Sequence, residues 1–170
     1  MKYLTMARIA RGLAIIMWSV AILLVGCSLS IAPNTAPAKT NGVTFDGVKV
    51  AIVRLSDCGC CEGHSVYLSE HGFLVETTYT EDLASVKERY QIPQNMQSCH
   101  TAFIEGYFIE GHIPVEAIEK LLAEKPDIDG IALPGMPLGS PGMSGQQTEA
   151  FIIYALADGK SSEFMTIDEQ

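Results

Sequence analysis

Apolar residues along the chain follow two different patterns, one before residue 27 and one after residue 44. The run from Gly12 to Gly26 carries no charge, and its length of about 15 residues is short of the ~20 that a membrane-spanning helix needs. From Phe45 onward, β-branched runs alternate with segments in which apolar residues recur every three or four positions. The first pattern is typical of a signal-peptide core, and the second predicts a domain of alternating strands and helices.

The second region predicts four strands and three helices in the order β-α-β-α-β-β-α. The strands are expected at 48–53, 73–79, 101–104 and 107–109, and the helices at 62–70, around Leu83, Val86 and Tyr90, and from Pro114 through Val115, Ile118, Leu121 and Leu122. Gly72 follows the first helix as a stop signal, and a proline suits the first turn of the third. This order is the thioredoxin-like plan, an α/β fold with a mixed sheet between helices.

The rest of the chain predicts a loop and a closing pair of strands. A short apolar run at 131–133 leads into 134–143, where Gly, Pro and Met dominate and a helix is disfavoured. Segments 151–155 and 164–167 flank Asp158-Gly159, which favours a tight turn. The predicted fold class is therefore α/β: a thioredoxin-like mixed sheet flanked by helices, with a C-terminal Pro/Gly/Met loop and a closing strand pair.

The beginning of the chain predicts export and lipidation. Lys2, Arg8 and Arg11 give a basic start, and the uncharged run ends in LVGC at 24–27, which resembles the lipobox of bacterial lipoproteins. The thiol of Cys27 would become the acylated N-terminus, although an uncleaved anchor that contains Cys27 by chance is the alternative. Both interpretations place the domain in the bacterial cell envelope, on the periplasmic side and tethered to a membrane.

Three segments follow from these patterns. Residues 1–27 are interpreted as a lipoprotein signal peptide with its lipidated cysteine, 28–44 as a flexible tether with Pro33 and Pro37, and 45–170 as the folded domain. A hydrophobic content of 48% is typical of a globular protein, and a formal net charge of −9 argues against binding to nucleic acid.

The cysteines supply the strongest chemical signal. Cys58, Cys60 and Cys61 lie within four positions at the junction of a predicted strand and helix, where the helix dipole lowers thiol pKa values. Cys58 and Cys61 have the spacing of a redox disulfide, whereas three thiolates together can share several copper(I) ions through bridging sulfurs. Bridges inside the cluster would restrict the unfolded chain little, which disfavours a purely structural disulfide framework. Buried, inert cysteines are the remaining alternative.

Other candidate ligands follow along the chain. In a thioredoxin-like fold the loop with Cys99 and His100 faces the cysteine cluster. The two residues are therefore candidate metal ligands, or a resolving cysteine with a base beside it. The alternative is that Cys99 packs under the sheet and His100 lies on the surface. The secondary candidates, each with a plain structural alternative such as an exposed residue, a helix cap or core filler, are His64, His112, Met136 and Met143.

Four blocks of sequence between Val48 and Ala157 resemble the CopG-type family of periplasmic proteins associated with copper resistance. The blocks are CGCC at 58–61, SCHTA at 98–102, GYFIEGHIP at 106–114 and PGMPLGSPGM at 134–143. The resemblance implies a thioredoxin-like fold and a copper(I) cluster held mainly by the Cys-x-Cys-Cys thiolates, with the Cys-His block alongside and redox cycling with copper. Family members usually have tryptophan three residues after the last clustered cysteine, where this chain has His64.

Three functions compete on these grounds. The first is an envelope protein that sequesters copper(I) or passes it to other copper-handling proteins of the envelope. The second is a thiol–disulfide or copper oxidoreductase in which Cys58 and Cys61 cycle between dithiol and disulfide. A structural zinc domain ranks last, because the adjacent pair Cys60-Cys61 is unlike the usual spacing of zinc ligands. The expected partners are copper ions, those copper-handling proteins and, through the lipid anchor, a membrane.

Overall fold

The computed structural model describes residues 45–169. The predicted signal peptide, the lipidation site Cys27 and the predicted tether over 28–44 lie outside the described residues and stay predictions. Within the described part, no helix combines the length and the apolar character needed to cross a membrane.

The described chain forms seven strands and three α-helices around one sheet. The elements are β1 (Lys49–Arg54), α1 (Gly59–Glu70), β2 (Leu74–Tyr79), α2 (Leu83–Arg89), a 3₁₀ turn (Gln94–Met96), β3 (His100–Ile104), β4 (Tyr107–Glu110), α3 (Val115–Glu124), β5 (Gly130–Ala132), β6 (Phe151–Ala157) and β7 (Lys160–Ile167). The order from β1 to α3 is the predicted one. The α/β class, with a mixed sheet and a closing strand pair, is confirmed.

The sheet has the strand order β2-β1-β3-β4-β5-β6-β7. Two neighbouring pairs, β1 with β2 and β4 with β5, are parallel, and the other pairs are antiparallel. The two parallel pairs are each joined through a helix, as parallel connections require. Because β1 and β3 are neighbours, the end of β1 at Arg54 lies opposite the start of β3 at His100.

The apolar pattern explains how the helices pack. In α3 the residues Val115, Ile118, Leu121 and Leu122 are all buried, as their spacing predicts. The first helix differs, because its buried face consists of Cys61, His64, Ser65 and Leu68. Half of that face is polar, so the packing of α1 depends on side-chain hydrogen bonds as well as on apolar contact.

Several predicted limits need correction. Helix α1 begins at Gly59, three residues before the predicted start, because the cysteines themselves form its first turn. Within this helix Val66, an apolar residue, is 49% exposed, and Tyr90 follows α2 as its C-cap instead of lying in the helix. Strand β7 begins at Lys160 rather than at 164, since the hairpin pairs Ala157 directly with Lys160.

Candidate metal centre

The cysteine cluster occupies the turn from β1 into α1. Cys58 is the N-cap of α1, and Cys60 and Cys61 belong to the first turn of the helix. Cys58 and Cys61 form a disulfide, the pairing expected of a redox motif. Cys60 is a free thiol whose Sγ lies 3.6 Å from that of Cys58. The turn therefore holds an oxidised pair with a third sulfur beside it.

Arg54 holds this turn in place from beneath. Its guanidinium is buried at the end of β1, donates to the carbonyl oxygen of Cys58 at 2.9 Å and pairs with the carboxylate of Glu62. It also lies 4.9 Å from the centre of the Tyr79 ring. These contacts fix the backbone at Cys58 and couple the end of β1 to the first turn of α1.

Cys99 lies directly beside the cysteine turn. It precedes β3, and its carbonyl oxygen is 3.8 Å from the Sγ of Cys61. The four sulfur atoms of Cys58, Cys60, Cys61 and Cys99 all lie within 4.8 Å of one another. The alternative in which Cys99 packs under the sheet, away from the cluster, is therefore wrong.

Three buried histidines form a cluster next to Cys99. His64 comes from α1, His100 from the start of β3 and His112 from the turn after β4, and all three are almost completely inaccessible to solvent. Their ring centres are 4.9 to 5.1 Å apart. The alternatives of an exposed His64, a surface His100 and a solvent-facing His112 are wrong, because the Pro/Gly loop and α1 cover this end of the sheet.

The hydrogen bonds of His112 fix which of its nitrogens carries the proton. Its Nδ1 lies 2.7 Å from the carbonyl oxygen of Pro141, which can only accept, so the proton is on Nδ1. The Nε2 lone pair then points at the Sγ of Cys99, 3.0 Å away. A neutral His112 thus offers a free nitrogen to that sulfur.

A second chain of hydrogen bonds orients His100. The Nε2 of His64 donates to the carbonyl oxygen of Ile113 at 3.0 Å, which leaves the His64 Nδ1 as an acceptor. His100 therefore donates from Nε2 to His64 Nδ1 across 2.8 Å. The remaining lone pair of His100, on Nδ1, faces the Sγ of Cys99 at 3.3 Å.

The electrostatics keep these groups neutral in the absence of metal. Burial lowers the pKa of His64 to about 3, and it also lowers the pKa values of His100 and His112. Burial, followed by the neighbouring Cys60, raises the pKa of the Cys99 thiol to about 12. One S–H proton then faces two imidazole lone pairs, and it can satisfy only one of them.

A soft cation in place of that proton would contact sulfur and nitrogen together. Ligand atoms of Cys61, Cys99, His100 and His112 form a second group within 4.8 Å of one another, which shares two cysteines with the all-sulfur group. Thiolate and neutral imidazole are the donors that copper and zinc prefer. The donor set therefore fits copper and zinc, the metals that the sequence indicated. His112 lies closer to the Cys99 sulfur than its position in the sequence suggested.

A buried ion pair holds the segment that carries Cys99. Glu110, at the end of β4, pairs with Lys87 of α2, and both side chains are buried. The Glu110 carboxylate also accepts from the backbone N–H of Ser98 and from the hydroxyl of Thr101, each at 2.6 Å. These two partners flank Cys99 and His100, so the carboxylate fixes the backbone on both sides of them. This network was not predicted from the sequence. The feature that could have indicated it is Glu110, a charged residue at the end of the apolar run that forms β4.

The methionines of the Pro/Gly loop differ from the histidines in exposure. Met136 is 53% exposed, whereas Met143 is half-buried and follows Gly142, whose backbone packs against Gly63. Ligation by Met136 and Met143 stays a prediction.

His64 uses both ring nitrogens in hydrogen bonds, so the geometry gives it no free lone pair for a metal.

Comparisons with known proteins agree with the chemistry of this site. A family model described as "Protein of unknown function, DUF411" matches residues 96–143, which carry Cys99, His100, His112 and the Pro/Gly loop. Two solved structures of a copper resistance protein CopG, forms 1 and 2, are each 38% identical to this chain. Each comparison covers 72% of this chain and 99% of the other, with a TM-score of 0.67. No curated protein matches the chain.

Proposed function

The chain belongs to the CopG-type copper resistance family, and from that premise we propose that it binds copper(I) at the bacterial cell envelope, where it takes part in copper resistance. One observation carries the proposal: four cysteine sulfurs and the free lone pairs of two buried imidazoles converge around Cys99. Copper(I) is a soft ion that readily accepts sulfur atoms shared between neighbouring metals.

The arrangement supports more than one copper ion. The all-sulfur group and the mixed sulfur–nitrogen group overlap in Cys61 and Cys99, so an ion in one group would share sulfurs with an ion in the other. Full use of the sulfurs requires reduction of the Cys58–Cys61 disulfide by two electrons, which yields two thiols and, on metal binding, releases their protons. The reduced protein is therefore the copper-binding state.

The envelope location rests on the N-terminal sequence. A basic start, an uncharged core and LVGC at 24–27 together support export, cleavage before Cys27 and acylation of its thiol. Residues 28–44 would then tether the domain to a membrane, where copper-handling proteins of the envelope could exchange ions with it. Mass spectrometry of the protein purified from membranes tests the lipidation: a diacylglyceryl-modified N-terminal Cys27 supports it, whereas an intact Met1 supports the uncleaved anchor instead. Recovery of the protein in the cytoplasmic fraction would contradict the envelope location itself.

A second function is favoured by the disulfide. Because Cys58 and Cys61 are paired beside two free thiols, the site could exchange electrons with its cargo. In the balanced reaction, two copper(I) ions and two protons convert the disulfide to two thiols and two copper(II) ions, and the reverse reaction reduces copper(II). Stopped-flow spectra of the oxidised protein mixed with copper(I) would show copper(II) and new thiols in a one-to-one ratio.

Metal titration of the reduced, full-length protein in detergent tests the main proposal. Copper(I), presented with a chromogenic competing chelator, is expected to load the wild type with more than one ion. The variant Cys58→Ser/Cys60→Ser/Cys61→Ser should lose most of this uptake. His71→Ala is the matched control, because His71 is an exposed residue just after the same helix and its side chain forms a hydrogen bond only with the Tyr67 carbonyl.

Zinc provides the opposing outcome of the same titration. The group of Cys61, Cys99, His100 and His112 has the composition of a closed zinc site. Uptake of a single zinc ion, with no preference for copper(I) under chelator competition, would overturn the copper proposal.

A further inference from the structure

His64 is the member of the histidine cluster whose nitrogens do not face the sulfur atoms. Its ring is fully buried, and its two nitrogens bond to the Ile113 carbonyl and to His100. The carbonyl accepts only, so the His64 proton is fixed on Nε2 and the acceptor is fixed on Nδ1. Both nitrogens are thus committed within the protein.

This arrangement selects one protonation form of His100. An isolated neutral imidazole exchanges its proton between Nδ1 and Nε2. Here the His64 acceptor lies 2.8 Å from the Nε2 of His100 and retains the proton there. The Nδ1 lone pair of His100 consequently points at the Cys99 sulfur before any metal arrives.

We propose that His64 is a positioning residue that holds the His100 ring in its Nε2-protonated form, with Nδ1 ready to bind a metal ion next to Cys99. This inference rests on the proposed copper function and assigns His64 a role distinct from ligation. Partners of this kind orient metal-binding imidazoles and raise their basicity, and their loss typically weakens metal binding about 10- to 100-fold.

Two substitutions separate this role from simple packing. His64→Asn keeps an acceptor, because the amide oxygen attached to Cγ takes the place of Nδ1. His64→Leu fills a similar volume without any acceptor. Neither side chain is expected to reach the Ile113 carbonyl, so both variants lose that hydrogen bond. They differ only in whether they offer His100 an acceptor. His71→Leu is the control for removal of a histidine from the same region of the chain.

The first measurement is made on the metal-free, full-length protein. Nitrogen-15 spectra of the histidine rings report which nitrogen of His100 is protonated. The wild type and His64→Asn are expected to show protonation at Nε2, and His64→Leu a mixture of both forms. Circular dichroism verifies that each variant is folded. If His64→Leu is unfolded, the comparison of His64→Asn with wild type still decides, since a shift of His100 to Nδ1 protonation in that variant contradicts the inference.

The second measurement is copper(I) affinity by chelator competition. His64→Leu is expected to bind about 10- to 100-fold more weakly than wild type, and His64→Asn to bind within about threefold of it. Unchanged affinity together with an unchanged His100 ring in His64→Leu would overturn the inference. A wild type that takes up no copper(I) would instead overturn the proposed function, while the ring spectra would still decide the role of His64.

Discussion

Gly142 lies against Gly63 with no room for a side chain on either residue. A β-carbon on Gly63 would lie 2.5 Å from the carbonyl oxygen of Gly142, and one on Gly142 would overlap the backbone nitrogen of His64. Gly142 also has a φ of +78°, which favours glycine. The preceding residue, Pro141, accepts the hydrogen bond that orients His112. Contact between two glycines therefore seats the loop that completes the candidate metal centre.

Substitution at this contact should displace the loop. Gly63→Ala is expected to lower the free energy of unfolding by about 1–3 kcal/mol, because the methyl group meets backbone atoms that cannot rotate away. Gly59→Ala is the matched control in the same helix, since a β-carbon there meets no atom within 4 Å. The control should be neutral or stabilising by up to about 1 kcal/mol. Urea unfolding measures both, and equal effects of the two substitutions would contradict the tight contact.

The buried pair Lys87 and Glu110 gives a second prediction. Glu110→Gln leaves the Lys87 charge without a counterion inside the protein, and is expected to cost about 3–5 kcal/mol of unfolding free energy. Glu124→Gln is the control, because Glu124 pairs with Lys120 on the exposed surface of α3, where such pairs contribute about 0.5 kcal/mol or less. Thermal or urea unfolding distinguishes them. A loss below about 1 kcal/mol for Glu110→Gln would show that the pair does not hold the Cys99 segment.

The neutral histidines predict an acid-sensitive fold. Burial lowers the pKa of His64 from 6.5 to about 3, so below pH 6.5 the unfolded chain binds a proton that the folded chain does not. The unfolding free energy of the metal-free, oxidised protein should therefore fall as the pH drops from 6.5 towards 3. Well below pH 6.5 the contribution of His64 approaches about 1.4 kcal/mol per pH unit.

Comparison with His64→Asn isolates this contribution from that of the carboxylates. Urea titrations from about pH 7 to about pH 4 measure how the free energy of unfolding depends on pH. This dependence should be less steep in the variant than in the wild type, and the difference should be close to the contribution of one histidine. Parallel curves for the two proteins would mean that His64 is protonated in the folded state.

Local sequence patterns predicted the parts of the fold that depend on local chemistry. Helix α3 follows the regular spacing of Val115, Ile118, Leu121 and Leu122, and the hairpin of β3 and β4 follows two apolar runs around Glu105-Gly106. The cysteine turn was also predictable, because the three cysteines are close in sequence. The spacing of Cys58 and Cys61 had left a redox disulfide open beside metal binding, and the structure contains that disulfide.

The histidine cluster could not be predicted in the same way. His64 and Ser65 face the interior from a helix whose apolar pattern is weak, so local periodicity could not decide between a ligand and an exposed residue for His64. Its burial depends on His100 and on the Ile113 carbonyl, which are 36 and 49 residues away in the chain. The partnership of Lys87 with Glu110 likewise joins distant segments. Such contacts come from the topology of the sheet, which local periodicity does not specify.

The candidate donors extend from Cys58 to His112, and the carbonyl that fixes the last of them belongs to Pro141. A chain whose synthesis has not yet reached Pro141 would contain the cysteines but could not form this arrangement of donor atoms. Tight binding of a metal ion would therefore begin only after the whole domain has been synthesised and folded. An ion present at a hundred times its dissociation constant would add about 2.7 kcal/mol to the stability of that finished state. With the proposed copper(I) cargo, an excess of the ion would in this way stabilise the complete, folded protein.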